Sequence, residues 1–346
     1  MRLILLIVLS SIFIGCGKSN KLYIYNWTDY LSPDVIRLFE EKYDCDVIVD
    51  AFDSNEMMYA KIMNMKDSCE YDIIFPSSYE TKMLKDKHLL EELDHSKISN
   101  FFNNYDIRYD NIILDKSKKF SIPYSMSMCG LGYRCDKVGK LNDNELSWNI
   151  LTDKRFHHRI CLLDDFRQTI GAALKYLGYS ANSTNRDDLL KAEHVVTEWK
   201  KNISRFDCGQ YKTGLVSSEI LIGHGYNNDI AMMTTECPEI DFFLPKEGFI
   251  ITCDEIAIMK NSKNKKMAYE FINFLYDTVN CAKNIEYILG SMPNTNANKY
   301  VSHKLTENKL IFPDDNDFLS GEVLKDVGES INLYIKTWDN ITKCRQ

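Results

Sequence analysis

Acidic, aromatic and hydroxyl side chains recur in this chain where short apolar runs end. Trp27, Asp29 and Tyr30 follow LYIY. Ser77 and Tyr79 follow YDIIFP, Asp165 closes RICLLDD, Tyr226 precedes DIAMM, and Asp254 lies inside ITCDEIAIM. Carboxylates compensate a desolvated cation through charge-assisted hydrogen bonds. Indole and phenol faces add about 0.5–2 kcal/mol each by cation–π attraction and cover methylene spacers. Such a wall suits ammonium groups on an alkyl chain and repels anions. Any one of these residues is also an ordinary strand-end polar group, so the weight rests on the set.

Catalytic chemistry is scarce by comparison. The sequence contains neither G-x-S-x-G nor H-E-x-x-H. Gly17-Lys18-Ser19 resembles the tail of a phosphate loop, but Ile12 stands where the earlier glycine is required. His157-His158 reads as an exposed polar pair. Asp314-Asp315-Asn316-Asp317 starts like a calcium loop, but Leu319 or Ser320 replaces the glycine at its sixth position. With no nucleophile–base pair at usable spacing, the expectation is a binding protein, not an enzyme, with no cofactor and no metal.

The elements that position these side chains follow from the pattern. LYIY, CDVIV and YDIIFP read as buried strands, separated by amphipathic stretches. Ser32-Pro33 opens one helix, with Ser as N-cap and Pro in the first turn. Ser54 to Met65 forms the next. Ser77-x-x-Glu80 is a capping box opening the third. Strand and helix in alternation predict an α/β fold with mostly parallel sheets covered on both faces. FSIPYSM and CGLGYR follow without a helix between them, as if crossing to a second lobe. RICLLDD, DIAMMTT and DFFLP continue that lobe as strands, and ITCDEIAIM crosses back. Ligands in such sheets bind beyond the carboxyl ends of strands.

At 346 residues two lobes are expected, and 45% apolar content supplies a core. A net charge of −8 with no basic stripe excludes nucleic acid as partner. Met1-Arg2 and LILLIVLSSIFIG form a signal-peptide core too short to span a bilayer. The run ends at Gly15-Cys16, a relaxed lipobox, so Cys16 is the expected lipid anchor of an exported protein. In that setting the Asn26-Trp27-Thr28 sequon is incidental. The ten later cysteines have no C-x-x-C spacing and read mostly as buried small hydrophobes.

NWTDYLSPDVIRLFEEKY, SNEMMYAKI, YDIIFPSSYETKML, SIPYS, LLDDFRQTIGAALKYLGYSANST, FLPKEGFIITCDEIAI, MPNTNA and KDVG occur in one order along nearly the whole mature chain. Together they resemble the spermidine/putrescine-binding proteins of bacterial ABC importers. The resemblance implies a two-lobe periplasmic-binding-protein fold of type II with a double-crossover hinge. It further implies a monomer that takes a polyamine between its lobes in the periplasm, where the expected anchor at Cys16 tethers it to the membrane. The cargo then passes to ABC permease subunits. The expected division is 1–16 signal peptide, 17–21 tether, 22–127 plus 255–296 first lobe, and 128–254 plus 297–346 second lobe.

By position, the resemblance assigns Trp27, Asp29, Tyr30, Ser77, Tyr79, Asp165 and Asp254 to the ligand site. The chain departs from the pattern elsewhere. Gln168 stands for a Glu, Thr252 and Tyr226 each for a Trp, Ser291 for a Tyr, and Leu324 for a Gln. The ligand class is therefore legible, whereas the choice between spermidine and putrescine stays open. A receptor of the same fold for another small solute and a lipoprotein adhesin are the alternatives.

Overall fold

The computed structural model describes residues 20–343 apart from 66, 67 and 69. Cys16 and the signal segment, most of the tether, Cys69 and Cys344 lie outside the described residues. Ten strands form one sheet: β1 (Lys21–Trp27), β2 (Asp46–Phe52), β3 (Ile73–Ile74), β4 (Ile122–Arg134), β5 (Ile160–Leu162), β6 (Arg205–Phe206), β7 (Ile222–Tyr226), β8 (Ile240–Phe243), β9 (Ile250–Ile258) and β10 (Glu322–Val323). Their order is β2-β1-β3-β9-β4-β7-β5-β6, with β10 on β9 and β8 on β4.

Each end of this sheet is a parallel unit. β1 pairs in parallel with β2 and β3, and β5 with β6 and β7. Between them run the two long strands β4 and β9, antiparallel to each other from Ile122↔Ile256 to Cys129↔Ile250. β9 then continues antiparallel to β3, while β4 continues along β7 and β8. The two strands therefore belong to both lobes, and β10 pairs in parallel beside β9.

FSIPYSM and CGLGYR merge into the single strand β4 because its glycines permit close packing. A Cβ on Gly130 would lie 2.6 Å from the Phe243 carbonyl oxygen, and one on Gly132 would collide with Ile230 Cδ1. DIAMMTT corrects the strand reading: Asn227–Glu236 is a helix that buries Ile230, Ala231 and Met233. A short apolar run cannot declare its period, and Ala and Met are good helix formers. The strand lies just before it, in IGHGY, whose glycines hid it.

Each lobe has its own core. In the first, Phe39 of the Pro33–Tyr43 helix packs on Phe271 at 5.0 Å and Phe274 at 5.4 Å, both from the Lys265–Leu275 helix. Burying rings and branched chains of this kind stabilises the fold by about 1.5–3 kcal/mol per side chain. In the second, Trp148 and Trp199 meet among Leu151, Ile160, Ala173 and Val196. Ala297, Val301 and Ile311 join the first core, so the stretch 297–346, expected in the second lobe, is shared between the two. The Thr278–Ile288 helix draws them there by packing against the turn Ala297–Lys299. The final helix, Ile331–Lys343, packs on the second lobe through Tyr334 and Ile341. Of the described cysteines, Cys45, Cys129, Cys161, Cys237, Cys253 and Cys281 are buried.

Candidate functional site

The first loop of the site is shaped by Asn26. Its side chain accepts from Trp27 N–H at 2.8 Å and donates to the Tyr30 carbonyl at 3.4 Å, closing a tight turn at the end of β1. Asp29 takes the left-handed conformation there, with φ of 55°. The turn sends Tyr30 inward, where its ring meets Tyr124 at 5.3 Å, and leaves Trp27 half-buried on Phe52 at 4.5 Å. Trp27 Nε1 and Tyr30 Oη are buried and make no hydrogen bond among the described residues. Asp29 is exposed, and its charge is felt by Tyr287 on the Thr278–Ile288 helix.

The second loop delivers Ser77 to the crossing strand. Ser77 sits at the N-cap of the Ser78–Asp86 helix, but its hydroxyl does not cap it. Instead Ser77 Oγ donates to Asp254 Oδ1 at 2.6 Å, and Ser77 and Asp254 form an isolated antiparallel bridge. The expected capping box is therefore absent, because a buried carboxylate is the stronger acceptor. Asn55 backs the loop, donating to Ser77 Oγ at 3.2 Å and to Tyr79 Oη at 3.4 Å. Beside it, Glu255 accepts from the hydroxyls of Ser78 and Ser121.

Asp254 is 9% exposed, and burial pushes its carboxyl up to about 6. The Ser77 hydrogen bond and the nearby Tyr30 hydroxyl act in the opposite direction, the latter outside good hydrogen-bond geometry. Thr252, two residues earlier on β9, is half-buried, with its hydroxyl 3.4 Å from the Ser127 carbonyl. Ser291 adjoins from behind: Ser125 Oγ donates to its carbonyl at 2.9 Å, and its hydroxyl is engaged with Tyr109 at 2.8 Å.

The second lobe supplies the opposite wall. Asp165 caps the Phe166–Tyr176 helix, accepting from Arg167 N–H at 2.8 Å and Gln168 N–H at 2.9 Å. Burial, and secondarily the charge of Glu56, pushes its carboxyl up to about 6 despite those bonds. Tyr226 ends β7 and packs in the same apolar cluster as Tyr79, together with Cys129, Leu163 and Leu324. Burial raises the Tyr226 hydroxyl well above the usual range, and the Asp165 charge adds to this. Tyr79 comes from the first lobe, so this cluster joins the lobes across the cleft. Arg167 stacks between Tyr79 at 5.6 Å and Tyr334 at 4.8 Å, with its guanidinium bonded to the Lys325 carbonyl and Asn182.

Of the residues singled out on sequence, the structure links Tyr30, Ser77 and Asp254 at one end. Tyr79, Asp165, Gln168 and Tyr226 gather at the other. Trp27 stands at the rim, Thr252 and Ser291 line the hinge side, and Asp29 makes no contact with either carboxylate among the described residues. Sequence reasoning passed over Asn55, and over Glu80, which is 5% exposed. The Ser-x-x-Glu spacing disguised Glu80 as part of a cap. Among the described residues no group of three or more His, Cys, Asp or Glu is placed to hold a metal. The acidic run at Asp314–Asp317 is engaged locally: Asp317 accepts from Asp314 N–H at 3.0 Å, and Asp315 pairs with Arg108 at 2.8 Å.

Known proteins share this architecture. Residues 34–313 match the sequence profile of the bacterial extracellular solute-binding proteins. The chain is 31% identical to the spermidine/putrescine-binding periplasmic protein of Escherichia coli, over 91% of this chain and 90% of that one. It is 29% identical to a putrescine/cadaverine-binding protein of Pseudomonas aeruginosa, over 97% and 98%. The solved Tp0655 (TpPotD) lipoprotein of Treponema pallidum superposes with a TM-score of 0.83 at 30% identity, covering 93% of this chain and 99% of that one. The chain belongs to the bacterial extracellular solute-binding protein family, alongside the periplasmic spermidine/putrescine-binding proteins.

Proposed function

We propose that this protein is a lipid-anchored receptor that captures a polyamine between its lobes and hands it to the permease of an ABC transporter. The observation that carries the reading is the pair Asp254 and Asp165. Each is an acid raised to about 6 by burial, Asp165 on the second lobe and Asp254 on the shared strand β9, and no cationic side chain forms a direct ion pair with either among the described residues. Two carboxylates shifted this way, the Asp165 charge offset only in part by Arg167, suit two cationic centres from outside. Tyr30, Tyr79, Tyr226 and Trp27 supply ring surface for the methylenes between those centres. The names of the relatives point the same way.

Closure follows from contacts made only when the lobes meet, such as Tyr79 on Arg167 and Lys82 with Asp326 at 3.1 Å. The protein works as a monomeric carrier without cofactor. Cys16 tethers it at the outer face of the membrane. Calorimetric titration with putrescine, cadaverine, spermidine and spermine tests the function, and the absence of heat at millimolar ligand refutes it. Cys16→Ala should release the protein into the soluble extract, and retention in the membrane fraction removes the anchor from the reading. A second reading, a receptor for another small solute, is favoured by Thr252 and Ser291, which bring no ring face. A thermal-shift screen with amino acids and anions separates the two.

A further inference from the structure

The end of the cleft that holds Asp165 contains two acceptors with nothing to accept from. Glu80 Oε2 and Gln168 Oε1 are both buried and both without a hydrogen-bond partner among the described residues. Their side chains are 5% and 2% exposed. Gln168 lies three residues along the same helix as Asp165, its N–H bonded to the carboxylate, and Glu80 comes from the opposite lobe next to Tyr79, whose ring stacks at 5.6 Å on Arg167 beside Gln168, where the Asp165 charge acts on it. Leaving such acceptors unmet in the interior is costly, and native structures rarely do so without a reason. Glu56, also acidic, approaches from the Asn55–Met65 helix, and the Tyr79 hydroxyl is the neighbouring donor. Burial pushes the Glu80 carboxyl well above the ordinary carboxylate range.

A single hydroxyl or amide donor cannot serve a carboxylate on one lobe and a carboxamide on the other while also meeting Asp165. An ammonium group can, because it carries three N–H donors around one nitrogen together with the charge that Glu80 and Asp165 lack. We propose that Glu80 is a third ligand carboxylate, which binds one ammonium nitrogen jointly with Gln168 and Asp165 and so selects diamines and longer polyamines over monoamines. This rests on the polyamine reading above. It adds that the helix opened by Ser77 contributes a charged contact of its own, and that the contact spans the cleft.

The test is calorimetry on the full-length protein with putrescine and with n-butylamine, its single-ammonium counterpart of equal chain length. In Glu80→Gln, putrescine affinity should fall at least tenfold and n-butylamine affinity should change less than threefold. In Glu80→Gln combined with Gln168→Glu, which returns a carboxylate to the same nitrogen, putrescine affinity should recover to within threefold of wild type. Wild-type putrescine affinity in Glu80→Gln overturns the role of Glu80 and leaves the polyamine function standing. Failure of the double variant to recover, with both variants melting cooperatively, also overturns it. If the wild type binds neither putrescine nor spermidine, the functional reading itself falls, and Glu80 with it.

Discussion

The two ends of the cleft are built on opposite principles. At the Asp254 end the carboxylate is held by a short hydrogen bond from Ser77 and faced by Tyr30, on a strand paired along its length. At the Asp165 end the carboxylate caps a helix, and its neighbours Glu80 and Gln168 are left with unmet acceptors. At the first end the carboxylate is already hydrogen-bonded before a ligand arrives, whereas at the second two acceptors wait for a donor. Preorganisation at one end gives affinity, and incompleteness at the other gives discrimination.

The sharpest way to break this comparison is to remove one charge at a time. Asp254→Asn should weaken polyamine binding by about 2–5 kcal/mol, as for truncating one partner of a buried charge pair. A loss below threefold by calorimetry would remove Asp254 from the site. Asp165→Asn should cost less, about 1–3 kcal/mol of binding, because the residue is half-buried and its acceptors toward Arg167 and Gln168 survive as an amide. Asp165→Ala should in addition lower folding stability by about 0.5–2 kcal/mol through the lost cap. Equal melting of the Asn and Ala variants would contradict that capping role.

Acidity separates the two ends from the rest of the surface. Asp254 and Asp165 both rise to about 6, so cation affinity should fall as pH drops through 6, by up to about tenfold per unit for each carboxylate. A flat profile between pH 5 and 7 would refute the elevated values. For folding the sign reverses. A carboxyl whose folded pKa exceeds its unfolded value of about 3.9 binds more protons when folded. Its stabilising contribution is present below pH 4 and is lost as pH rises through 6, on the order of 3 kcal/mol per group. The ligand-free Asp254→Asn variant should therefore melt above wild type at pH 8 and level with it at pH 4. The smallest effect belongs to Lys82, whose pairs with Asp86 and Asp326 are largely solvated. Lys82→Met should change affinity by less than about 1 kcal/mol, and a larger change would show the lobe contact to be part of the closure energy.

The sequence was legible where a residue's chemistry and its place at a strand end agreed. LYIY followed by Trp27 and Tyr30, YDIIFP followed by Ser77, and RICLL followed by Asp165 all fall at the ends of sheet strands or just past them. It was misleading where two roles share one spelling. Ser77-x-x-Glu80 spells a capping box, yet Asp254, 177 residues away in sequence, competes for the serine and wins. No local pattern carries that partner. DIAMMTT and IGHGY exchanged identities for a related reason. Glycine in a strand is a poor local signal until the packing of Tyr211, 2.5 Å from a Cβ on Gly225, explains it. Asp29 is assigned to the site by its strand-end position and by resemblance, and the left-handed turn sets it at the exposed rim.

The placement of Asp254 on β9 has a mechanical consequence. β9 is one of the two strands about which the lobes turn, so Asp254 sits near the fulcrum, while Glu80, Tyr79 and Asp165 ride on the lever arms. A rotation that parts the arms widely displaces the fulcrum little. A cation can then rest on Asp254 in the open protein without prejudging closure. On the site proposed above, only a molecule long enough to reach both arms is rewarded when they shut, so length is measured by the same motion that encloses the cargo.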